Sequence, residues 1–156
     1  MSTNKGWIIV GLIVAALIGG IGGFVVGKLT GDEKVGYIDL EKIMTDFPAY
    51  KDATSILRGE QVELEMKLQE ESKGKTEEEK QKLLAELQEQ LVAKDKELAE
   101  RVEKDLRDAV KKVAADKKIT LVSVKNALYF GGVDITDDVL RAGGAKLDDK
   151  ASKDKK

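Results

Sequence analysis

The middle of the chain is a long charged stretch without a single aromatic residue. Of the 68 residues from Lys51 to Lys118, 34 are charged, two are glycine and none is proline. A compact core of this length normally includes bulky rings, so the stretch favours extended helices over a globular core. Its apolar residues recur at spacings of 3, 4 or 7, the narrow stripe that is typical of a coiled coil. They are Leu57, Leu64, Leu68, Leu84, Leu87, Leu91, Leu98, Val102, Leu106, Val110 and Val113.

This stripe is interrupted once, at residues 72–76, where Gly74 lies among small polar residues. Thr76 and Glu79 have the spacing of a capping box, which starts a new helix. Helix, short break and helix together predict an antiparallel hairpin arm over residues 48–117, with its tip near residues 72–76. Such an arm buries only a thin stripe, so we expect low local stability and large movements.

Short runs of β-branched and aromatic residues flank the arm and predict strands at residues 35–39 and 119–130, the last of them at 127–130. Thr136, followed by two aspartates, predicts the start of a short final helix. Three short strands leave unpaired edges and little core, and association with other copies would remedy both. The sequence therefore predicts a homo-oligomer with a small strand-built body.

Residues 6–27 contain no charged side chain and are bracketed by Lys5 and Lys28. At 1.5 Å per residue they span roughly 33 Å, enough to cross a hydrocarbon core of about 30 Å. Residues 1–29 are therefore predicted to be a transmembrane anchor, with a cleaved secretory signal as the alternative. Small residues recur every four positions and form a candidate face for helix packing in the membrane. They are Gly11, Ala15, Gly19, Gly23 and Gly27.

The composition excludes several classes of function. The chain has no cysteine and no histidine, which removes disulfides, thiolate nucleophiles, imidazole bases and the usual zinc ligands. Its net charge of −2 argues against nucleic-acid binding. No enzymatic activity, cofactor or metal site is predicted. The predicted fold class is α+β: one transmembrane helix, a small oligomeric strand body with a long antiparallel helical hairpin, and a disordered charged tail at residues 142–156.

Four segments carry a resemblance to a known family. Residues 35–43 and 47–51 resemble the opening strand and first helix of the Skp/OmpH periplasmic chaperones. Residues 119–122 and 128–139, which include Asp134-Ile135-Thr136, are similar to the closing strands and helix start of that family. The resemblance covers residues 34–141 and places a Skp/OmpH-like domain at residues 30–141.

The resemblance implies a homotrimer with three helical arms around a cavity, which holds unfolded outer-membrane or envelope proteins without ATP. It implies client contacts on the apolar residues of the arm, unless these residues only join the two arm helices. These candidates are Leu57, Leu64, Leu68, Leu84, Leu87 and Leu91. It implies body and subunit contacts on Val35, Tyr37, Ile38, Ile119, Leu121, Val124, Tyr129 and Phe130.

With the predicted anchor, the expected location is the inner membrane, single-pass, with the bulk of the chain in the periplasm. A soluble periplasmic protein is the alternative if the segment is cleaved. The arm is acidic, with 8 basic and 13 acidic side chains between Leu57 and Glu100, and this departs from the basic character of the family. The departure argues against lipopolysaccharide binding.

A second class of function fits the same pattern. An N-terminal span followed by long charged helices also resembles a membrane-anchored coiled-coil scaffold or stalk protein. A stalk needs a continuous helix, whereas the chaperone needs a reversal near Gly74. The course of the chain at this glycine therefore discriminates between the two.

Overall fold

The computed structural model of the chain describes residues 24–25 and 34–147, and they form two compact units. The hairpin unit comprises residues 52–103, and the sheet unit comprises residues 24–25, 34–51 and 104–147. Long helices combined with a small sheet confirm the predicted α+β class in outline. In chain order the elements are β1 (Phe24–Val25), β2 (Val35–Ile38), α1 (Leu40–Asp46), α2 (Pro48–Glu71), α3 (Glu77–Lys117), β3 (Leu121–Val124), a 3₁₀ turn (Lys125–Ala127), β4 (Val133–Asp134) and α4 (Thr136–Ala142).

The starts of α1 and α2 follow from local chemistry. The carboxylate of Asp39 accepts a hydrogen bond from the backbone N–H of Glu41 at 3.2 Å and so caps α1. Helix α2 begins with Pro48, whose fixed φ suits the first turn and whose missing N–H would have had no partner in the helix.

The hairpin unit reverses direction at residues 72–76. Gly74 has a φ of +78°, a left-handed conformation that glycine adopts without steric penalty. The carboxylate of Glu79 accepts the backbone N–H of Thr76 at 2.8 Å, and the Thr76 hydroxyl accepts the N–H of Glu79 at 3.4 Å. This reciprocal pair is the predicted capping box, and it begins α3.

One line of aliphatic side chains joins the two helices of the hairpin unit. Its centre is a cluster of buried leucines, Leu64, Leu83 and Leu87, and the partly buried Leu68 and Leu91 pack against it. Contact between residues that precede and follow the tip requires α2 and α3 to run antiparallel. We refer to this line of contact as the seam.

The C-terminus of α3 is closed by a backbone motif. The N–H of Ile119 donates to the carbonyl of Ala114 at 2.8 Å, and Lys118 adopts a φ of 56°. This is the Schellman arrangement, in which glycine is the preferred residue at the left-handed position.

The sheet unit is organised around two parallel strands. Strands β2 and β3 pair in parallel, with Val35 opposite Leu121 and Ile38 opposite Val124. Two neighbouring parallel strands need a long connection between them, and helices α1, α2 and α3 form the connection from β2 to β3. Strand β4 pairs in parallel with the other side of β2, and β1 pairs antiparallel with β3, so the order is β1-β3-β2-β4.

Packing in the sheet unit is dense. Eight apolar side chains are almost completely buried there: Ile38, Ile43, Phe47, Leu106, Val122, Ile135, Val139 and Leu140. A Cβ atom on Gly36 would lie only 3.0 Å from Cδ1 of Ile119, so this strand position has to be a glycine or its neighbours must shift.

Two expectations from the sequence differ from the structure. A strand was expected at residues 127–130, but this segment follows a 3₁₀ turn, and the strand forms later, at Val133–Asp134. Phe24 and Val25, at the end of the predicted membrane helix, lie in a strand. The other residues of that helix, its packing face and the tail beyond residue 147 lie outside the described residues. In the described part of the chain, no helix has the length and apolar character needed to cross a membrane.

Candidate functional site

The predicted client-binding leucines occupy different environments in the hairpin unit. Leu57, Leu64 and Leu87 are buried, and Leu68 and Leu91 pack against the leucine cluster of the seam. Leu84 is the exception, with 37% of its side chain exposed. Five of the six residues are therefore at least partly buried within a single copy, and four of them, Leu64, Leu68, Leu87 and Leu91, belong to the cluster that joins the two helices.

Four other aliphatic residues of the hairpin unit are more exposed than Leu84, and they do not follow the spacing of the seam residues. Ile56, Val62, Met66 and Val92 are each between 42% and 58% exposed. The apolar stripe predicted from the sequence does not include these four residues, because they lie off its spacing of 3, 4 or 7. In the sequence they can be recognised as the aliphatic residues of α2 and α3 that lie outside the spacing of the seam.

Charge differs between the two units. Residues 52–103 include nine basic and fifteen acidic side chains, a net charge of −6. Residues 34–51 and 104–147 together include twelve basic and nine acidic side chains, a net charge of +3. The exposed aliphatic residues of the hairpin unit are thus set in an acidic surface, which favours basic partners.

A polar network in the sheet unit explains the Asp-Ile-Thr segment. The Thr136 hydroxyl accepts the backbone N–H of Asp39 at 2.9 Å and donates to the carboxylate of Asp134 at 2.6 Å. The backbone N–H of Ile135 donates to the carbonyl of Tyr37 at 3.0 Å. These bonds fix the start of α4 against the end of β2.

Ion pairs support the same junction. The ammonium group of Lys125 lies 2.6 Å from the carboxylate of Asp39. This hydrogen bond lowers the pKa of Asp39 below its ordinary value and raises the pKa of Lys125. Lys42 pairs with Asp137 at 2.5 Å, which connects α1 to the first turn of α4. The junction is structural, since its carboxylates are already engaged with basic groups of the same unit.

The predicted body residues divide into three groups. Ile38 and Ile119 are buried in the core of the sheet unit. Val35, Tyr37, Leu121 and Val124 are half-buried. Tyr129 is fully exposed and Phe130 is 94% exposed, and both lie just before the short strand β4.

The glycines that follow these two aromatic residues shape the segment. Gly131 and Gly132 have φ values of +82° and +94°. A Cβ atom on Gly132 would lie 3.1 Å from Cδ1 of Tyr37 and 3.2 Å from Cδ1 of Leu128. The tight backbone lets the chain turn into β4 and leaves the aromatic pair at the surface next to the edge of the sheet.

A protein-family model matches part of the chain. Residues 73–142 match the family model described as outer membrane protein (OmpH-like). The match includes most of the tip of the hairpin, all of α3, strands β3 and β4, and α4. It confirms the resemblance to the Skp/OmpH family over this part of the chain. No curated protein matches the chain.

Proposed function

We propose, from the OmpH-like match at residues 73–142, that the chain is an ATP-independent holdase chaperone that binds unfolded outer-membrane or envelope proteins in the periplasm. This match is the observation that carries the proposal. The antiparallel hairpin supports it, because a continuous stalk helix would not reverse at Gly74 and bring Leu64 against Leu83 and Leu87.

Binding would follow from the exposed aliphatic side chains of the hairpin unit. Each square ångström of apolar surface that a client buries contributes about 25 cal/mol, so burial of about 400 Å² contributes roughly 10 kcal/mol before the ordering cost is subtracted. Contacts spread over Ile56, Val62, Met66, Leu84 and Val92 would provide this area without a rigid pocket. Such a surface suits clients that differ in sequence and have no fixed shape.

We further propose that the functional form is a homotrimer whose body uses the aromatic pair. Exposed Tyr129 and Phe130 lie beside the two-residue edge strand β4, and Val133 in that strand is half-exposed. Apolar surface next to an unpaired strand edge supports association with another copy. Sedimentation equilibrium of the full chain and of Phe130→Ser tests this proposal, with the similarly apolar Val92→Ser as the control. A monomeric wild type, or an unchanged Phe130→Ser oligomer, would contradict it.

The proposed location is the inner membrane, with the bulk of the chain in the periplasm. The uncharged residues 6–23, which precede β1, support an anchor, and a processed periplasmic form is the alternative. Fractionation of cells, combined with N-terminal sequencing of the mature protein, separates the two.

The chaperone proposal is tested by client aggregation. A β-barrel outer-membrane protein is denatured in urea and diluted into buffer with the full chain, and light scattering is followed over time. We expect scattering to fall as the amount of the chain rises, without added ATP. An unrelated acidic protein at the same mass concentration is the control. Unchanged scattering over a wide range of ratios would refute the proposal.

A further inference from the structure

Helix α2 has a second regular stripe of residues that the seam does not use. Ser55, Gly59, Val62 and Met66 follow one another at intervals of 4, 3 and 4, the spacing of a helix-packing face. All four are exposed, and Val62 and Met66 are 52% and 55% exposed. We call these four residues the outer face of α2.

The outer face lies away from the seam. At about 100° per residue, Val62 and Met66 are each turned by about 160° from Leu64, the buried α2 residue of the leucine cluster. The half-exposed Ile56 borders the outer face and extends its apolar surface. Within one copy of the hairpin unit, α3 therefore packs against the opposite side of α2.

Gly59 is the least expected residue of this face. It lies in the middle of a 24-residue helix, where glycine is less favourable than alanine. A Cβ atom added to it would meet no atom of the described chain within 4 Å. Packing within the chain therefore gives no reason for a glycine here, whereas close approach of a partner's backbone does.

The charges beside the outer face indicate which partner fits. In a heptad with Gly59 and Met66 at position a and Val62 at position d, the flanking e and g positions include three glutamates and one arginine. These residues are Glu63, Glu65, Glu70 and Arg58. A second α2 packed on this face would bring glutamates against glutamates, which is unfavourable. A helix with aliphatic residues on one side and lysine or arginine at its flanks is complementary in both shape and charge.

We propose that the outer face of α2 binds helix-forming, apolar client segments with basic flanks. The inference rests on the proposed chaperone function and names the class of client segment that this surface selects. The close contact is made at Gly59, the aliphatic contacts at Val62 and Met66, and the charged contacts at the flanking glutamates.

The test uses the purified full-length chain and three labelled peptides of equal length, with binding followed by fluorescence anisotropy. One peptide has an aliphatic helical stripe with lysine flanks, the second has glutamate flanks, and the third is the lysine peptide with a central proline. We expect the lysine peptide to bind at least about tenfold more tightly than the other two at low salt. The difference from the glutamate peptide should shrink at high salt, because salt screens exposed charges. Equal binding of the three peptides would overturn the inference.

Variants distinguish this face from the rest of the hairpin. Gly59→Ala should keep or raise the Tm, since alanine favours helix and has room, yet weaken binding of the lysine peptide about fivefold or more. Val62→Ser should weaken binding similarly. Ala85→Ser is the control because Ala85 is exposed on α3 and is not one of the proposed client contacts, and it should leave affinity unchanged. Gly59→Ala and Val62→Ser with wild-type affinity would refute the inference.

Two further readouts separate the inference from the proposal on which it rests. If the wild-type chain fails to suppress client aggregation, the chaperone proposal fails as a whole. If it suppresses aggregation while the outer-face variants bind the lysine peptide normally, only the inference fails. A change in the sedimentation of the protein alone in Val62→Ser would identify the face as a contact between copies and would also overturn it.

Discussion

The buried carboxylate of Asp95 gives the sharpest test of how the hairpin unit is stabilised. Its side chain is 1% exposed, and neither carboxylate oxygen has a hydrogen-bond partner among the described residues. The neighbouring lysines are engaged elsewhere, since Lys94 pairs with Glu97 at 2.9 Å and Lys96 lies 4.0 Å from Glu100. Burial raises the pKa of the Asp95 carboxyl above its ordinary value.

We predict that removing this charge stabilises the protein. A buried polar group without partners costs about 1–3 kcal/mol, and a charged one lies towards the upper end of that range. Asp95→Asn removes the charge but keeps an amide to be buried, so the expected gain in the free energy of unfolding is about 1 kcal/mol. Asp95→Leu also adds apolar contact, and the expected gain is about 2–3 kcal/mol.

The dependence on pH follows from the direction of the pKa shift. Because the pKa of Asp95 is raised in the folded state, the penalty is absent below the ordinary value of 3.8, grows as the pH rises from 3.8 to the folded pKa, and is constant above it. The advantage of Asp95→Asn over the wild type should therefore be present at neutral pH and vanish near pH 3.8.

Urea denaturation followed by far-ultraviolet circular dichroism measures these differences at several pH values. Glu86→Gln is the matched control, because Glu86 is an exposed carboxylate on the same helix and its change should stay within about 0.5 kcal/mol. If Asp95→Leu were less stable than the wild type at neutral pH, the carboxylate would have a favourable role, and the reasoning would be refuted.

Three further predictions concern the sheet unit. Lys118→Gly should raise the free energy of unfolding by about 0.5–1 kcal/mol in urea denaturation, because φ at this position is 56°; a loss of stability would contradict the Schellman assignment. Gly143→Ala should lower it by about 1–3 kcal/mol in the same assay, because the new Cβ would lie 2.8 Å from Cζ of the buried Phe47, and an unchanged value would mean that the ring moves freely. Lys125→Met should raise the pKa of Asp39 towards its ordinary value, as measured by NMR titration. The stability that the lowered Asp39 pKa contributes is present above pH 3.8 and lost as the pH falls through the folded pKa, so the wild type and this variant should converge in acid.

Local signals in the sequence were sufficient to locate the long helices and the tip between them. Pro48 and Gly74 act through their own backbone preferences, and the Thr76–Glu79 pair acts over three residues. Such signals need no information about distant parts of the chain, so helices that begin and end at these points can be read directly from the sequence.

The position of the last strand could not be read in this way. Residues 127–130 have the higher strand propensity, yet Val133–Asp134 forms the strand because it is the segment that pairs with β2. Strand formation depends on a partner that is distant in sequence, and this partner overrides local preference. The two glycines with positive φ move the chain past the aromatic residues before pairing begins.

The sequence by itself determined that α2 and α3 are long, charged and apolar along a stripe, because helix periodicity is a property of each segment alone. Only the tertiary structure decided that Leu64 and Leu87 are buried in the seam and that Val62 and Met66 remain exposed. Burial is a relation between two helices, and one helix pattern cannot show which of its faces the other will cover. The same reason explains why Ile38 is buried and Phe130 is exposed. Both are apolar, and only the packing of the sheet unit decides which of them is covered.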